Sequence, residues 1–202
     1  MLLLITGASG AGKSTVRAAI ESELSPTVEC VELSHLTSVP AVLTRVWRQR
    51  ATDAVVRQAI DLQARERHLL LSGDPVAAAE VAAAPSAPGL DAIAVCLLDL
   101  SPEAQATRLN ARGDDPSLLP DHQAFAEWMR NQATDPLHMT HVLSDGGWEE
   151  MRWERLEGLA PGWQMHTINA SHMTRTDVGE AVLAWCRRAL NGQAPTLQVT
   201  GS

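Results

Sequence analysis

The 202-residue sequence has no tyrosine and a single phenylalanine. It has one lysine, Lys13, and its other fifteen strongly basic residues are all arginine. Cysteine is scarce too. Cys30, Cys96 and Cys186 are odd in number, far apart and without metal-ligand spacing. That pattern argues against a disulfide framework or a zinc site, and for buried thiols in a reducing compartment. No apolar run approaches the ~20 residues of a membrane span. The opening MLLLI is short, lacks a basic leader and runs straight into glycines, so it does not read as a secretory signal. The expected setting is cytoplasmic, with no membrane partner. A formal net charge of -8 disfavours general nucleic-acid binding unless a local basic face exists, so no nucleic-acid partner is expected.

The remaining composition, 45% hydrophobic and 20% charged, is that of a folded domain, and one domain over 1–202 is expected. Five short, nearly continuous apolar runs read as strands: Leu2–Thr6, Val28–Leu33, His68–Ser72, Ala92–Leu98 and Met165–Asn169. Runs of that kind belong to a parallel sheet covered on both faces. Helical patterns separate them. One spans Lys13 to Leu24 and another lies within about 40–66. PEAQATRLNARG is bounded by Ser101 as N-cap and Gly113 as stop. The last helix is expected to be capped by Thr176, with Arg187 and Arg188 at its C-terminal dipole. Alternating strands and helices imply an α/β fold of right-handed βαβ units. Between 113 and 162 the alternation stops. DHQAFAEWMRNQA and GWEEMRWERLEG read there as two helices of an insertion or lid. The tail 191–202 reads as flexible.

The stretch GASGAGKS fits G-x-x-x-x-G-K-[ST] and sits between an apolar strand and a helix. It runs through Gly7, Ala8, Ser9, Gly10, Ala11, Gly12, Lys13 and Ser14, with Thr15 beside it. Each residue type has a physical reason. Glycines let the backbone curl until successive N–H groups face an anion. The helix start adds the positive end of its dipole. Lysine brings a compact ammonium to the β- and γ-phosphates, and the Ser14 hydroxyl can ligate Mg²⁺. The expected cofactors are therefore ATP and Mg²⁺. No Asn-Lys-x-Asp guanine motif is present, which favours ATP over GTP.

With this loop the chain resembles the P-loop kinases, the small nucleoside, nucleotide and metabolite kinases. AVCLLDLSPEAQATRLNARGDD adds to the likeness, because in that family a helix after the fourth strand carries arginines to the phosphates. Arg108 and Arg112 match those positions. The resemblance implies a three-layer α/β/α fold with a five-stranded parallel sheet in the order 2-3-1-4-5. It also implies transfer of the ATP γ-phosphate to a small-molecule acceptor. Many members carry an acidic Mg²⁺-associated residue directly after the third strand. Here Ser72 and Gly73 intervene, and Asp74 is the nearest carboxylate, either a metal and base residue or a turn residue before Pro75.

Three regions are candidates for the acceptor site. At the end of the second strand, Glu32 or His35 could accept a hydroxyl proton, or be solvated strand-end residues. Between 36 and 70 stand six arginines against three acids. In the resembling kinases the region 36–66 holds acceptor-binding helices, so Arg45, Trp47 and Arg48 could bind an anionic or planar acceptor. The alternative is a solvated basic face with Trp47 as packing. In the insertion, Trp148 and Arg152 are spaced four apart, and Trp128 with Arg130 could join them over the site; the alternative is tryptophan in the core. His138 and His141 lack a third ligand for a metal. A second function remains open, an ATP-binding switch or ATPase that regulates a partner without a small-molecule acceptor. A monomer and a homodimer are both compatible with the sequence.

Overall fold

The computed structural model describes residues 1–36, 40–73 and 76–200, and of residues 35–36 the backbone alone. Its centre is a five-stranded parallel sheet in the order β2-β3-β1-β4-β5. The strands are β1 (Leu2–Thr6), β2 (Val28–Glu32), β3 (His68–Ser72), β4 (Ile93–Asp99) and β5 (His166–Asn169). The expected order and parallel sense are therefore observed. Register pairs Leu2 with Leu69 on one side and with Ile93 on the other.

Strand alternation divides the core into two layers. Leu2, Leu4, Leu71 and Val95 face one cluster, while Leu3, Ile5, Leu70 and Cys96 face the other. Helices α1 (Lys13–Leu24) and α9 (Arg175–Leu190) cover the second face through Val16, Ile20, Val182 and Trp185. Helix α3 (Arg45–Gln63) and helix α4 (Ala78–Ala83) cover the first through Val55, Val56, Ala79 and Val81. Residues Leu2 to Ile5 are fully buried, and each such side chain stabilises by about 1.5–3 kcal/mol before entropy is counted.

Helix α5 (Pro102–Arg112) begins and ends where its capping residues predict. Ser101 Oγ accepts the Ala104 N–H, and Gly113 closes the last turn in the left-handed region. Between α5 and β5 lie α6 (Leu119–Gln132), α7 (His141–Ser144) and α8 (Arg155–Leu159). Trp128, Met129, Leu143, Leu156 and Trp163 from this segment are buried in the same cluster as α3 and α4. Residues 113–162 thus contribute to the core.

Several expectations need correction. The second strand ends at Glu32, and Leu33–Leu36 forms a short helix, α2, with Leu33 fully buried. GWEEMRWERLEG is not one helix. Trp148 and Met151 are seated against Ala83, and the Arg152 N–H donates to the Ala83 carbonyl at 2.7 Å. That N–H is then unavailable to a helical ladder, and only Arg155–Leu159 is helical. The cap of α9 is Thr174 rather than Thr176, because Thr174 and Asp177 exchange reciprocal bonds at 3.2 and 3.1 Å. Part of the tail expected to be flexible is docked. Leu197 exchanges two backbone bonds with Ile93, at 2.9 and 2.8 Å, and Leu197 and Val199 are buried.

No helix among the described residues is long and apolar enough to cross a membrane.

Candidate functional site

In a parallel sheet all strands end at the same edge, and ligands bind beyond it where the strand order switches. Here β1 lies between β3 and β4, and the glycine-rich loop leaves its C-terminal end. The chain turns sharply at Gly7, with φ +149°. A Cβ there would stand 2.5 Å from the Leu98 carbonyl oxygen of β4, so only glycine allows this approach. Lys13 opens α1 and is 7% exposed. Its Nζ donates to the Gly7 and Ala8 carbonyls at 2.7 and 3.1 Å, which places the ammonium inside the curl of the loop. Ser14 and Thr15 are exposed on the first turn.

The loop forms one wall of a cleft of about 750 Å³. Residues 9–15 line it together with Gly73, Arg108, Arg112 and Arg175. The Arg108 Nη2 donates to the Ala170 carbonyl at 2.6 Å, while Nη1 lies 3.5 and 3.4 Å from the Gly10 and Ala11 carbonyls. One guanidinium therefore spans the loop and the end of β5. Burial, aided by the like charge of Arg175, pulls the pKa of Arg108 below the ordinary arginine value, though the group stays cationic. Arg112 lines the same cleft but is paired with Asp114, whose hydrogen bond raises the Arg112 pKa and lowers that of Asp114. The loop is braced from behind by Gln105, fully enclosed, whose Nε2 donates to the Ser9 and His122 carbonyls at 3.0 and 3.3 Å.

Glu32 stands just outside the cleft wall. It is the register partner of Ser72, and its carboxylate lies against Gly73. Arg17 of α1 donates from Nε to Glu32 Oε1 at 3.1 Å. The neighbouring Ser72 Oγ is buried without a hydrogen-bond partner among the described residues.

The other expected residues are not gathered here. Arg48 is bound through two nitrogens to Glu80, a fully buried carboxylate of α4, at 2.7 to 3.2 Å. Trp47 is half-buried against the core, and Arg45 at the start of α3 is partly exposed. Trp128 is buried and stacked on Phe125, with ring centroids 5.4 Å apart. Arg130, expected beside it, pairs with Asp99 at 2.9 Å. Trp148 is buried, with the Arg50 guanidinium 5.6 Å above its ring, and Arg152 is exposed. None of these lines the cleft. Asp74 and the His35 side chain lie outside the described residues. Among the described residues no three His, Cys, Asp or Glu side chains group as metal ligands.

Two cleft residues, Arg175 and Gly73, and the Glu32 partner Arg17 escaped the sequence reading. Arg175 follows the fifth strand, and the rule that sites gather beyond strand ends would have pointed to it. Arg17 is one helical turn from Lys13, a spacing visible in the sequence. Gly73 carried no distinguishing signal, because its requirement arises from Glu32 on another strand.

No protein-family model matches the chain, and no curated protein matches it. Among solved structures it is similar to a sugar kinase from Janibacter sp., 15% identical, covering 100% of this chain and 98% of that one at a TM-score of 0.58. It is also similar to a gluconokinase from Sinorhizobium meliloti, 20% identical over 94% and 93% of the two chains, TM-score 0.57. A thymidylate kinase from Candida albicans is 14% identical over 99% and 97%, TM-score 0.57. A chain of an RNA repair complex is matched over 45% of its length. At these identities the likeness is one of fold, shared here with three small-molecule kinases.

Proposed function

We propose that the protein is an ATP-dependent phosphotransferase acting on a small-molecule acceptor. The observation that carries this reading is the single cleft holding the Lys13 loop and Arg108, open at Gly73 toward the Glu32 carboxylate. Lys13 and the loop amides hold the β- and γ-phosphates. Arg108 balances the charge that develops on the transferred group, in a setting where preorganised cations act most strongly. Glu32 orients the acceptor hydroxyl and takes its proton. The base of the nucleotide extends past Ala111 toward Met173 and Val178, the apolar part of the cleft.

The donor set suits Mg²⁺. Ser14 lines the cleft, and the Ser72 hydroxyl, without a hydrogen-bond partner among the described residues, ends β3 next to the cleft residue Gly73; both are hard oxygen groups. Mg²⁺ takes few protein ligands and fills its other positions with phosphate oxygens and water. Bound there, it neutralises charge on the β- and γ-phosphate oxygens. The residues' own task is to present those oxygens and keep the loop in register.

The alternative of a nucleotide-driven switch needs an element for the triphosphate to order. Segment 113–162 is already packed into the core, and Gln49 ties it to α3 through the Leu143 carbonyl and Trp148 N–H at 2.9 and 2.6 Å. That packing favours the kinase reading.

The test is a screen with Mg·ATP over nucleosides, nucleotides, sugars and antibiotics. The expected result is one phosphorylated product with stoichiometric ADP. Lys13→Ala is expected to lower turnover by ~10²-fold or more, the usual effect of removing a preorganised transition-state contact. Absence of product from every acceptor class, with hydrolysis appearing only when a protein partner binds, would favour the switch instead.

A further inference from the structure

We propose that Arg17 is a positioning residue for phosphoryl transfer, holding the Glu32 carboxylate at the rim of the phosphate cleft. This rests on the reading above, in which Glu32 receives the acceptor's proton. Arg17 stands one turn along α1 from Lys13, so both leave the same side of the loop helix. It donates to Glu32 Oε1 at 3.1 Å and to Glu21 Oε2 at 2.8 Å. The Arg17 and Glu32 side chains are 14% and 15% exposed, whereas Glu21 is 51% exposed. Water therefore screens the bond to Glu32 less than the bond to Glu21.

A second feature selects the same place. Gly73 adopts φ +97°, and a Cβ on it would lie 2.7 Å from Glu32 Cδ and 3.0 Å from Oε2. Any other residue would displace the carboxylate. Gly73 itself lines the cleft. Arg17 thus occupies one carboxylate oxygen, and the bare Gly73 makes room for the other, which has no partner among the described residues. An ion pair serving only to fasten α1 to an edge strand would need no such vacancy. With Nε and Nη1 committed to carboxylates and its side chain outside the cleft lining, Arg17 acts through Glu32 rather than on phosphate.

In the step served, the acceptor oxygen forms a bond to the γ-phosphorus. The bond from that phosphorus to the β,γ-bridging oxygen breaks, and its electron pair leaves on ADP. The acceptor proton passes to the free oxygen of Glu32. A carboxylate misplaced by about 1 Å can cost ~10²-fold in such a step.

The experiment measures ADP formation from Mg·ATP with water in the acceptor's place, and the affinity for Mg·AMP-PNP, in the full chain. Glu32→Gln is expected to slow turnover ~10²-fold. Arg17→Gln is expected to slow it ~10-fold or more, with the KM for ATP and the AMP-PNP affinity unchanged within about twofold. Arg17→Lys, which keeps one charged donor, is expected to recover part of the loss. The double variant is expected to be no slower than Glu32→Gln alone. Gly73→Ala, which keeps Arg17 but displaces the carboxylate, is expected to slow turnover as well. Wild-type turnover in Arg17→Gln overturns the role of Arg17, as does a loss of AMP-PNP affinity equal to the loss of turnover, or a double variant slowed by both factors multiplied. A wild-type protein that neither releases ADP with water nor forms a phosphorylated product in the acceptor screen overturns the phosphotransferase reading itself, and Arg17 with it.

Discussion

Arg48→Met separates a structural role for this arginine from a substrate-binding one. Glu80 is fully buried and receives Arg48 Nε at 2.9 and 3.2 Å and Nη2 at 2.7 Å. Among the described residues its one other donor is the Ala77 N–H at 3.2 Å. Methionine keeps the aliphatic stem and removes the guanidinium, leaving a buried carboxylate with one neutral donor. Removing one partner of a buried pair costs about 3–5 kcal/mol. The Arg48 side chain is 27% exposed, so water can reach the vacated space, and the lower end, about 3 kcal/mol, applies. For a domain of this size each kcal/mol lowers Tm by about 2–4 °C, so a drop of roughly 6–12 °C is expected. Glu80→Gln retains an acceptor for Ala77 and discards the charge, and is expected to cost about 1 kcal/mol. In the double variant the losses should fall short of the sum, because the buried carboxylate that Arg48→Met strands is gone. Urea unfolding followed by tryptophan fluorescence reads all three. If Arg48→Met unfolds like the wild type while the KM for the acceptor rises, Arg48 is a substrate residue and the ion-pair argument fails.

Two further perturbations probe the frame around the site. Gln49→Ala strands the Leu143 carbonyl and the Trp148 N–H; it is expected to cost about 2–4 kcal/mol in urea unfolding and to speed hydrogen exchange at Trp148. The thiols predict the alkaline limit of stability. Burial first, then nearby charges, pushes Cys30 to about 11, Cys186 to about 12 and Cys96 higher still, from an ordinary value of 9.0. Each folded thiol keeps its proton where the unfolded one loses it. Their contribution is therefore complete below about pH 9 and is lost as pH rises toward the folded values. Urea midpoints should fall between about pH 9 and 11, and an aromatic disulfide reagent at about pH 8 should label the buried Cys96 and Cys186 only after denaturation, whereas Cys30 is partly exposed.

The elements legible in the sequence are those whose causes are local. β1, β3 and α1 have the bounds their apolar runs and the loop motif predict. Ser101 and Gly113 bound α5 through contacts within a few residues. The misassigned elements are those whose partners are distant. Glu80 meets Arg48 across 32 positions and Trp148 meets Gln49 across 99, so a regular Trp–Arg spacing suggested a helix face where the chain is a turn anchored on Ala83. The docked tail follows the same logic. Leu197 is ordered by an open backbone edge at Ile93, which no property of the tail announces.

By itself the sequence determined where a triphosphate would sit. The loop, its lysine and the helix start are contiguous, and the backbone geometry that cradles an anion needs only neighbouring residues. The tertiary structure decided which groups gather around that loop. Glu32, Gly73, Arg108 and Arg175 come from β2, the bend after β3, α5 and α9, and only the strand order brings them to one edge. The carboxylate beside the loop was decided in the same way, by an arginine one turn along α1 and a glycine on the adjacent strand. Both act through distances that exist only once the sheet has formed.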